Sequence, residues 1–164
     1  MNAFILYIYN IIKFLIPETR GFGLKRWMLN RAGAEIAKGV KICSSVKILG
    51  AGKLIVGENT WIGHEVMINC SSTVNIGSNV DIAPRVFIGT GTHEINIDGG
   101  RIAGRGLNKD VSIGDNCWIC AGSMILPGIT VGKASLVAAG AVVTSNIESG
   151  LLVGGIPARI IKQL

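Results

Sequence analysis

Isoleucine and valine recur every six residues along most of the chain. The first series is Ile36, Ile42 and Ile48, and the spacing resumes after a two-residue step at Leu54 and again at Val74. Self-similarity at a six-residue period indicates a β-solenoid, in which each hexapeptide supplies one short strand and one corner. Fifteen positions share this register: Ile36, Ile42, Ile48, Val56, Ile62, Ile68, Ile76, Ile82, Ile88, Ile113, Ile119, Ile125, Val131, Val137 and Val143.

Small residues follow these register positions, as the corners of a narrow coil require. The next residue is mostly Gly or Ala, and the residue four places later is small or branched. Two inward side chains per hexapeptide therefore fill the core. Three hexapeptides close one triangular turn, so the pattern predicts an all-β fold with five turns over residues 34–155, within a domain of residues 34–164.

Residues 1–33 precede the repeat and are predicted to form a separate helical segment. An apolar run from Phe4 to Ile16 is interrupted by Lys13 and stopped by Pro17. It is too short to span a bilayer, which takes about 20 apolar residues. The spacing predicts an amphipathic helix with the polar residues nearer the opposite side and one apolar face made of Phe4, Ile8, Ile11, Ile12 and Leu15.

A second short helix is predicted from the stretch "LKRWMLNRAG", which ends at Gly33 and is rich in basic residues. Two interpretations of the N-terminal segment stay open. Its apolar face packs against the domain or a sister subunit, or residues 1–31 lie on a membrane surface.

Composition and charge narrow the classes of function. A chain of 164 residues suits one domain, and 23 glycines with only 5% aromatic residues suit stacked β structure. The net charge of +6 favours an anionic partner. The basic residues do not alternate with aromatic residues along one face, so nucleic acid binding is not expected.

The repeat stops between Ile88 and Ile113, where a polar, Gly-rich loop over residues 94–112 is predicted to leave the coil. Long loops in compact domains usually carry function. His93 stands at the root of this loop, and its imidazole titrates near neutral pH. The position therefore suggests a general base that takes a proton from an acceptor hydroxyl.

Three segments resemble the hexapeptide-repeat acyltransferases, and in particular the galactoside, maltose and polysaccharide O-acetyltransferases. They are "IAPRVFIGTGTHEI", the stretch that begins "IGDNCWICAG", and the closing "VGGIPARIIK" within residues 151–164. The resemblance implies a left-handed parallel β-helix, a homotrimer and acetyl-CoA as cosubstrate. The left-handed sense comes from the resemblance alone, since right-handed crossovers are the general expectation.

The resemblance also assigns residues near the reacting groups. It gives His93 the role of deprotonating the acceptor hydroxyl. Asn69, at the end of "VMIN", matches an asparagine that contacts the acceptor, and it breaks the Gly/Ala rule at its corner.

Cofactor-binding residues follow from the same resemblance. Backbone amides at Ala121 and Ala139 are expected to bind the pantetheine arm, and Thr144 and Arg159 to approach the adenosine phosphates. Trp118 has two open interpretations: it lines the thioester channel, or it covers the surface of the coil.

Cysteine and histidine do not form a metal or redox motif in this register. Cys117 falls on an inward position and Cys120 on a corner, which favours a structural role for the Cys-x-x-Cys stretch. Carbonic anhydrases built on this solenoid need three histidines per zinc, whereas the chain has only His64 and His93. No metal is therefore expected, His64 is expected to be solvated, and the protein is expected in the reducing cytoplasm.

The expected function is acetyl-CoA-dependent O-acetylation of a sugar hydroxyl by direct transfer. The amphipathic segment favours a cell-surface polysaccharide or its lipid-linked precursor as acceptor, at the inner face of the membrane. Two alternatives stay open: a soluble acetyltransferase of a free sugar, xenobiotic or amino acid, and, more distantly, a solenoid scaffold without catalysis.

Overall fold

The computed structural model describes residues 1–97 and 99–164, and the described chain is mostly β-structure. Two helices and a short 3₁₀ turn come first: α1 (Ala3–Ile12), the turn (Lys13–Leu15) and α2 (Phe22–Arg31). The strands that follow are β1 (Glu35–Ile36), β2 (Lys41–Ile42), β3 (Lys47–Leu49), β4 (Lys53–Val56), β5 (Trp61–Ile62), β6 (Met67–Asn69), β7 (Thr73–Ile76), β8 (Asp81–Ile82), β9 (Phe87–Gly89), β10 (Gly91–Ile95), β11 (Ala103–Asn108), β12 (Val111–Ile113), β13 (Trp118–Ile119), β14 (Met124–Ile125), β15 (Thr130–Val131), β16 (Leu136–Val137), β17 (Val142–Val143), β18 (Leu151–Gly154) and β19 (Arg159–Gln163).

The strands build a parallel β-helix with three sheets, as the hexapeptide pattern predicts. Each sheet takes one strand from every turn, in the orders β1-β4-β7-β12-β15, β2-β5-β8-β13-β16-β18 and β3-β6-β9-β14-β17. Five turns are complete. A sixth, which the pattern did not predict, begins with a parallel bridge between Val131 and Ile147, continues into β18, and is closed by the antiparallel strand β19.

The repeat positions fill the core of the coil. All fifteen Ile and Val positions of the hexapeptide register are buried. So are most of the small or branched residues four places later, such as Val40, Thr60 and Ala141. The glycine corners are equally tight, because a Cβ on Gly57 would lie 2.5 Å from the backbone nitrogen of Ser78 in the next turn.

Helices α1 and α2 cover the N-terminal end of the coil. The first turn has no turn before it, so its outer carbonyl groups lack strand partners. Side chains of the helices supply the donors: Asn10 Nδ2 to Ile48 O and Arg26 Nη1 to Val40 O, each at 3.1 Å, while Lys13 Nζ donates to Val46 O. The helices therefore act as the cap that a solenoid needs at its end.

This capping role corrects the predicted orientation of α1. Leu6 and Tyr9 pack against the coil, and Lys13, expected on the polar side, is only 1% exposed. If the predicted apolar face packed against its own domain, Phe4 and Leu15 would be buried. They are instead 72% and 85% exposed. The reason is that the carbonyl groups at the coil edge require donors, which the apolar face does not have.

The loop that leaves the coil is an antiparallel hairpin. Strands β10 and β11 pair, with His93 opposite Gly106 and Thr92 opposite Leu107. The predicted loop of residues 94–112 thus contains a strand of its own, β11. Asp98 in this loop lies outside the described residues. No helix among the described residues is long and apolar enough to cross a membrane.

Burial of Lys13 makes the stability of the cap depend on pH. Burial, together with the charge of Lys47, lowers the pKa of Lys13 from its usual 10.5 to about 8. Below pH 8 the folded chain holds a buried ammonium at a cost of at most about 3 kcal/mol. Between pH 8 and 10.5 the unfolded chain binds more protons, so this cost disappears as the pH rises.

Substitution Lys13→Met removes both the buried charge and the donor to Val46 O, and the stability of the wild type relative to this variant is expected to rise between pH 8 and 10.5. Melting curves across this range test it. Lys162→Met, at an exposed position, is the control and should show no such relative change with pH. A difference that stays constant with pH would mean that Lys13 is not charged in its buried position.

Candidate active site

His93 and Asn69 line one groove. Asn69 ends β6 and is half-buried, whereas His93 lies in β10 and is exposed. The groove has a volume of about 440 Å³ and is lined by Asn69, Gly91, Thr92, His93, Gly106, Leu107 and Asn108. The structure therefore brings together the two residues that the sequence assigned to the acceptor side of the site.

A backbone carbonyl fixes the imidazole of His93. Nδ1 lies 2.9 Å from the carbonyl oxygen of Gly104 on the opposite strand. A carbonyl oxygen can only accept, so Nδ1 carries the hydrogen and Nε2 carries the lone pair of the neutral ring. His93 stands two residues into the hairpin rather than on the coil, so it is β11 that orients the imidazole.

Thr90 holds the base of the hairpin against the coil, a role that the sequence did not reveal. Its buried Oγ1 accepts hydrogen bonds from Ser71 N at 2.8 Å and Ser72 N at 3.0 Å, and donates to Asn69 O at 3.1 Å. Backbone N–H of Thr90 donates to the same Asn69 oxygen. The backbone of Asn69 is thereby tied to the strand that carries His93.

The returning end of the hairpin is fixed by Asp110. Its carboxylate accepts hydrogen bonds from Ser72 Oγ and from Thr73 N, the latter at 2.8 Å. These hydrogen bonds lower the pKa of Asp110. Both ends of the hairpin are therefore anchored to the same corner of the coil.

Ala121 and Ala139 lie on another corner, one above the other. Gly140 N donates to Ala121 O at 2.9 Å, which stacks the two turns. Both alanines are exposed, and within the described residues neither backbone N–H has an acceptor. Two free amide donors one turn apart can bind the amide carbonyls of an extended arm.

The residues expected near the phosphates lie at the C-terminal end of the coil. Arg159 begins β19 and shares a groove of about 630 Å³ with Ser145 and Asn146, above the apolar floor of Val143 and Ile147. Thr144 is exposed and lies between two of these lining residues in sequence. A guanidinium at the edge of such a groove suits a phosphate.

Trp118 projects from the outer surface of β13 and is 53% exposed. Its strand neighbours are Asp81 on one side and Leu136 on the other. The half-exposed indole of Trp118 on this sheet is compatible with both interpretations: it lines the thioester channel, or it covers the surface of the coil.

Ala121 and His93 line different grooves of one chain. Ala121 lines a groove with His64, Glu65, Pro84, Arg85 and Gly122, and this groove shares no residue with the one that holds His93. The two grooves lie on different corners of the prism.

His64 is half-exposed, as expected, but it has a carboxylate partner. Its Nδ1 lies 3.4 Å from Glu18 Oε2, which also accepts hydrogen bonds from Ser45 N and Oγ at 3.0 Å. Burial by itself would raise the pKa of Glu18, but the Ser45 hydrogen bonds and His64 lower it. Among the described residues, Glu18, Cys43 and His64 form a group of possible metal ligands. Their ligand atoms lie within 4.8 Å of one another.

The cysteines occupy the structural positions that the register predicts. Cys117 is 2% exposed, and its Sγ lies 3.0 Å from the carbonyl oxygen of Gly132. Cys120 is half-buried at a corner, and burial raises the pKa of both thiols. Neither thiol is therefore activated as a nucleophile.

Known proteins share both the repeat and the fold. The model of the family described as bacterial transferase hexapeptide (six repeats) matches residues 110–145. The galactoside O-acetyltransferase of Lactococcus lactis is 37% identical over 81 residues, which cover 49% of this chain and 39% of that enzyme.

Solved structures extend the match to almost the whole chain. A hexapeptide-repeat acetyltransferase of Vibrio cholerae, complexed with acetyl-CoA, has a TM-score of 0.72 and 25% identity, with 98% of this chain and 87% of that chain covered. A galactoside acetyltransferase complexed with coenzyme A gives 0.71 and 26%, with 97% and 76% covered. The chain therefore shares the hexapeptide repeat and the coiled fold of the hexapeptide-repeat acetyltransferases.

The similarity to solved acetyltransferase structures extends over 97–98% of this chain. The chain spans 39–41% of the length of the first three curated relatives that it matches. This similarity shows the fold, while activity, acceptor, assembly and residue roles rest on the geometry of the site.

Proposed function

We propose that this protein transfers the acetyl group of acetyl-CoA to a sugar hydroxyl, with His93 as the general base. The observation that carries the proposal is the hydrogen bond from Nδ1 of His93 to the carbonyl oxygen of Gly104, in a groove shared with Asn69. This bond leaves Nε2 free to accept a proton. The structures of relatives with acetyl-CoA or coenzyme A support the choice of cosubstrate.

The reaction is a direct transfer. Asn69 orients the acceptor, Nε2 of His93 takes the hydroxyl proton, and the oxygen attacks the acetyl carbonyl. A backbone amide stabilises the oxyanion of the tetrahedral intermediate. The C–S bond then breaks, and the imidazolium returns the proton to the departing thiolate. No acetyl-enzyme forms, in keeping with buried cysteines that lack activation.

Acetyl-CoA would lie along the alanine corner. The free N–H groups of Ala121 and Ala139 would bind the pantetheine arm, and Thr144 with Arg159 would face the phosphates in the C-terminal groove. Trp118 projects from the sheet that ends at this corner and would line the channel of the thioester. None of these steps uses a metal.

A homotrimer would complete the site. The acceptor groove and the alanine corner lie on different edges of one chain, so a neighbouring chain must bring its alanine corner to His93. A cyclic trimer of prisms provides three such contacts with one type of interface.

The acceptor is proposed to be a cell-surface polysaccharide or its lipid-linked precursor, which would place the enzyme at the cytoplasmic face of a membrane. Release of free coenzyme A thiol tests this, with free sugars, nucleotide sugars and lipid-linked glycans compared at equal concentration. The lipid-linked glycans are expected to give the highest kcat/KM. Equal or faster turnover of a free sugar, xenobiotic or amino acid would favour the soluble alternative.

Substitution Arg159→Ala is expected to raise the KM for acetyl-CoA about tenfold at similar kcat, because it removes a phosphate contact made equally in the ground and transition states. Steady-state kinetics with acetyl-CoA varied measure it. Lys162→Ala, on the same strand but outside the groove, is the matched control. A large fall in kcat at saturating acetyl-CoA would show that Arg159 acts on the chemical step instead.

A further inference from the structure

The outer side of α1 and the turn after it is an apolar ridge. Five large side chains line it at helical spacing, and each is at least half exposed to solvent: Phe4 at 72%, Tyr7 at 62%, Ile11 at 50%, Phe14 at 70% and Leu15 at 85%. Contiguous apolar surface of this kind is rare on soluble proteins and marks a contact site.

The ridge occupies the N-terminal end of the coil. Leu6 and Tyr9, on the opposite side of α1, pack toward the first turn, so the ridge faces away from it. The neighbouring helix α2 adds two exposed side chains, Leu24 at 48% and Trp27 at 57%. Most of the ridge surface is thus open to solvent, while Phe14 also lines a groove beside the coil.

Positive charge is concentrated at the same end. Residues 1–56, which form the helices and the start of the second turn, contain nine basic and two acidic residues. Residues 57–164 contain seven basic and eight acidic residues. The whole net positive charge of the protein therefore lies in the third of the chain that carries the ridge.

Cations lie directly beside the apolar side chains. Lys47 lines one groove with Phe14, next to the exposed Leu15. Arg85 lines the same groove but is paired with Glu65 at 2.8 Å. In α2, the guanidinium of Arg31 lies 5.4 Å from the centre of the Trp27 ring. Aromatic and aliphatic side chains bordered by lysine and arginine are the combination that binds the interface of an anionic bilayer.

We propose that this N-terminal end docks on an anionic membrane surface, with the apolar ridge inserted at the boundary between headgroups and acyl chains. The basic side chains around it would contact lipid phosphates. A second copy that packs ridge to ridge fits less well, because this contact would oppose two ends that each carry a large positive charge. The membrane supplies both the apolar phase and the opposite charge.

Vesicle flotation with the full chain tests the proposal. The protein is expected to float with vesicles of phosphatidylcholine mixed with phosphatidylglycerol, and much less with phosphatidylcholine alone. Raising the salt concentration should weaken the binding. The triple variant Phe4→Ser, Phe14→Ser, Leu15→Ser should lose at least about tenfold in affinity, because these side chains supply most of the inserted apolar area.

A matched control separates the ridge from general surface hydrophobicity. Ile97→Ser with Ile102→Ser removes two side chains of similar exposure, 84% and 68%, in the hairpin far from the ridge in sequence, and should bind vesicles like wild type. Circular dichroism checks that both variants are folded. Undiminished flotation of the triple variant, or absence of flotation by wild type, would overturn the proposal. Ridge-dependent self-association without vesicle binding would assign the surface to a second copy.

Discussion

Replacing His93 by Ala is expected to lower kcat by about 10²-fold to 10⁴-fold, the usual contribution of a positioned general base. The KM for acetyl-CoA should change little, because the proposed cofactor contacts lie on another corner of the coil. Stability should also hold, since the side chain is exposed and its one hydrogen bond is to Gly104 O. Steady-state kinetics with the acceptor that gives the highest turnover measure the effect.

Two further variants separate proton transfer from positioning. His93→Asn keeps an N–H that can reach the Gly104 carbonyl but has no basic nitrogen, so it should lose as much activity as His93→Ala. Glu94→Ala changes the next residue of β10 and should leave kcat unchanged. Near-normal turnover of both His93 variants would contradict the role of general base and leave His93 with a structural role in the hairpin.

Replacing Gly57 by Val is expected to destabilise the coil by about 3 kcal/mol or more, the range of overpacking at a site that cannot relax. A Cβ at this corner would lie 2.5 Å from Ser78 N and 2.6 Å from the backbone carbon of Gly77. Both obstacles are backbone atoms of the next turn, so relief requires two turns to separate. Chemical denaturation of the two proteins measures the difference.

The control for this substitution is Gly23→Ala in α2, where a Cβ would meet no atom within 4 Å. It should be neutral or slightly stabilising, because alanine favours a helix over glycine. A Gly57→Val protein within about 0.5 kcal/mol of wild type, the range of ordinary surface substitutions, would mean that the corners tolerate side chains.

The core of the coil could be read from sequence because each turn repeats the same constraint. Ile62 and Ile82 stack in adjacent strands, and the same spacing places every other inward residue. The orientation of α1 could not be read in this way. Polarity placed Lys13 on the outer side, whereas the open edge of the first turn draws its ammonium inward to Val46 O.

The candidate site was predictable where it depends on local motifs. His93 and Asn69 came from short segments that resemble relatives, and the structure places them in one groove. Thr90 was missed because its role lies in hydrogen bonds to Ser71 and Ser72, one turn away in the chain. Pairing of β10 with β11 was missed for a similar reason, since it depends on backbone contacts between stretches with no clear alternation of polarity.

The fate of the acetyl group tests the account most directly. Protein incubated with acetyl-CoA labelled in the acetyl group, and with the acceptor panel, should transfer label to a glycan and release one coenzyme A thiol per acetyl transferred. Mild alkali should release the label as acetate, because it hydrolyses an ester. No label should remain on the protein. Alkali-stable label on an amine, label retained on the denatured protein, or no acceptor-dependent thiol release would contradict the account.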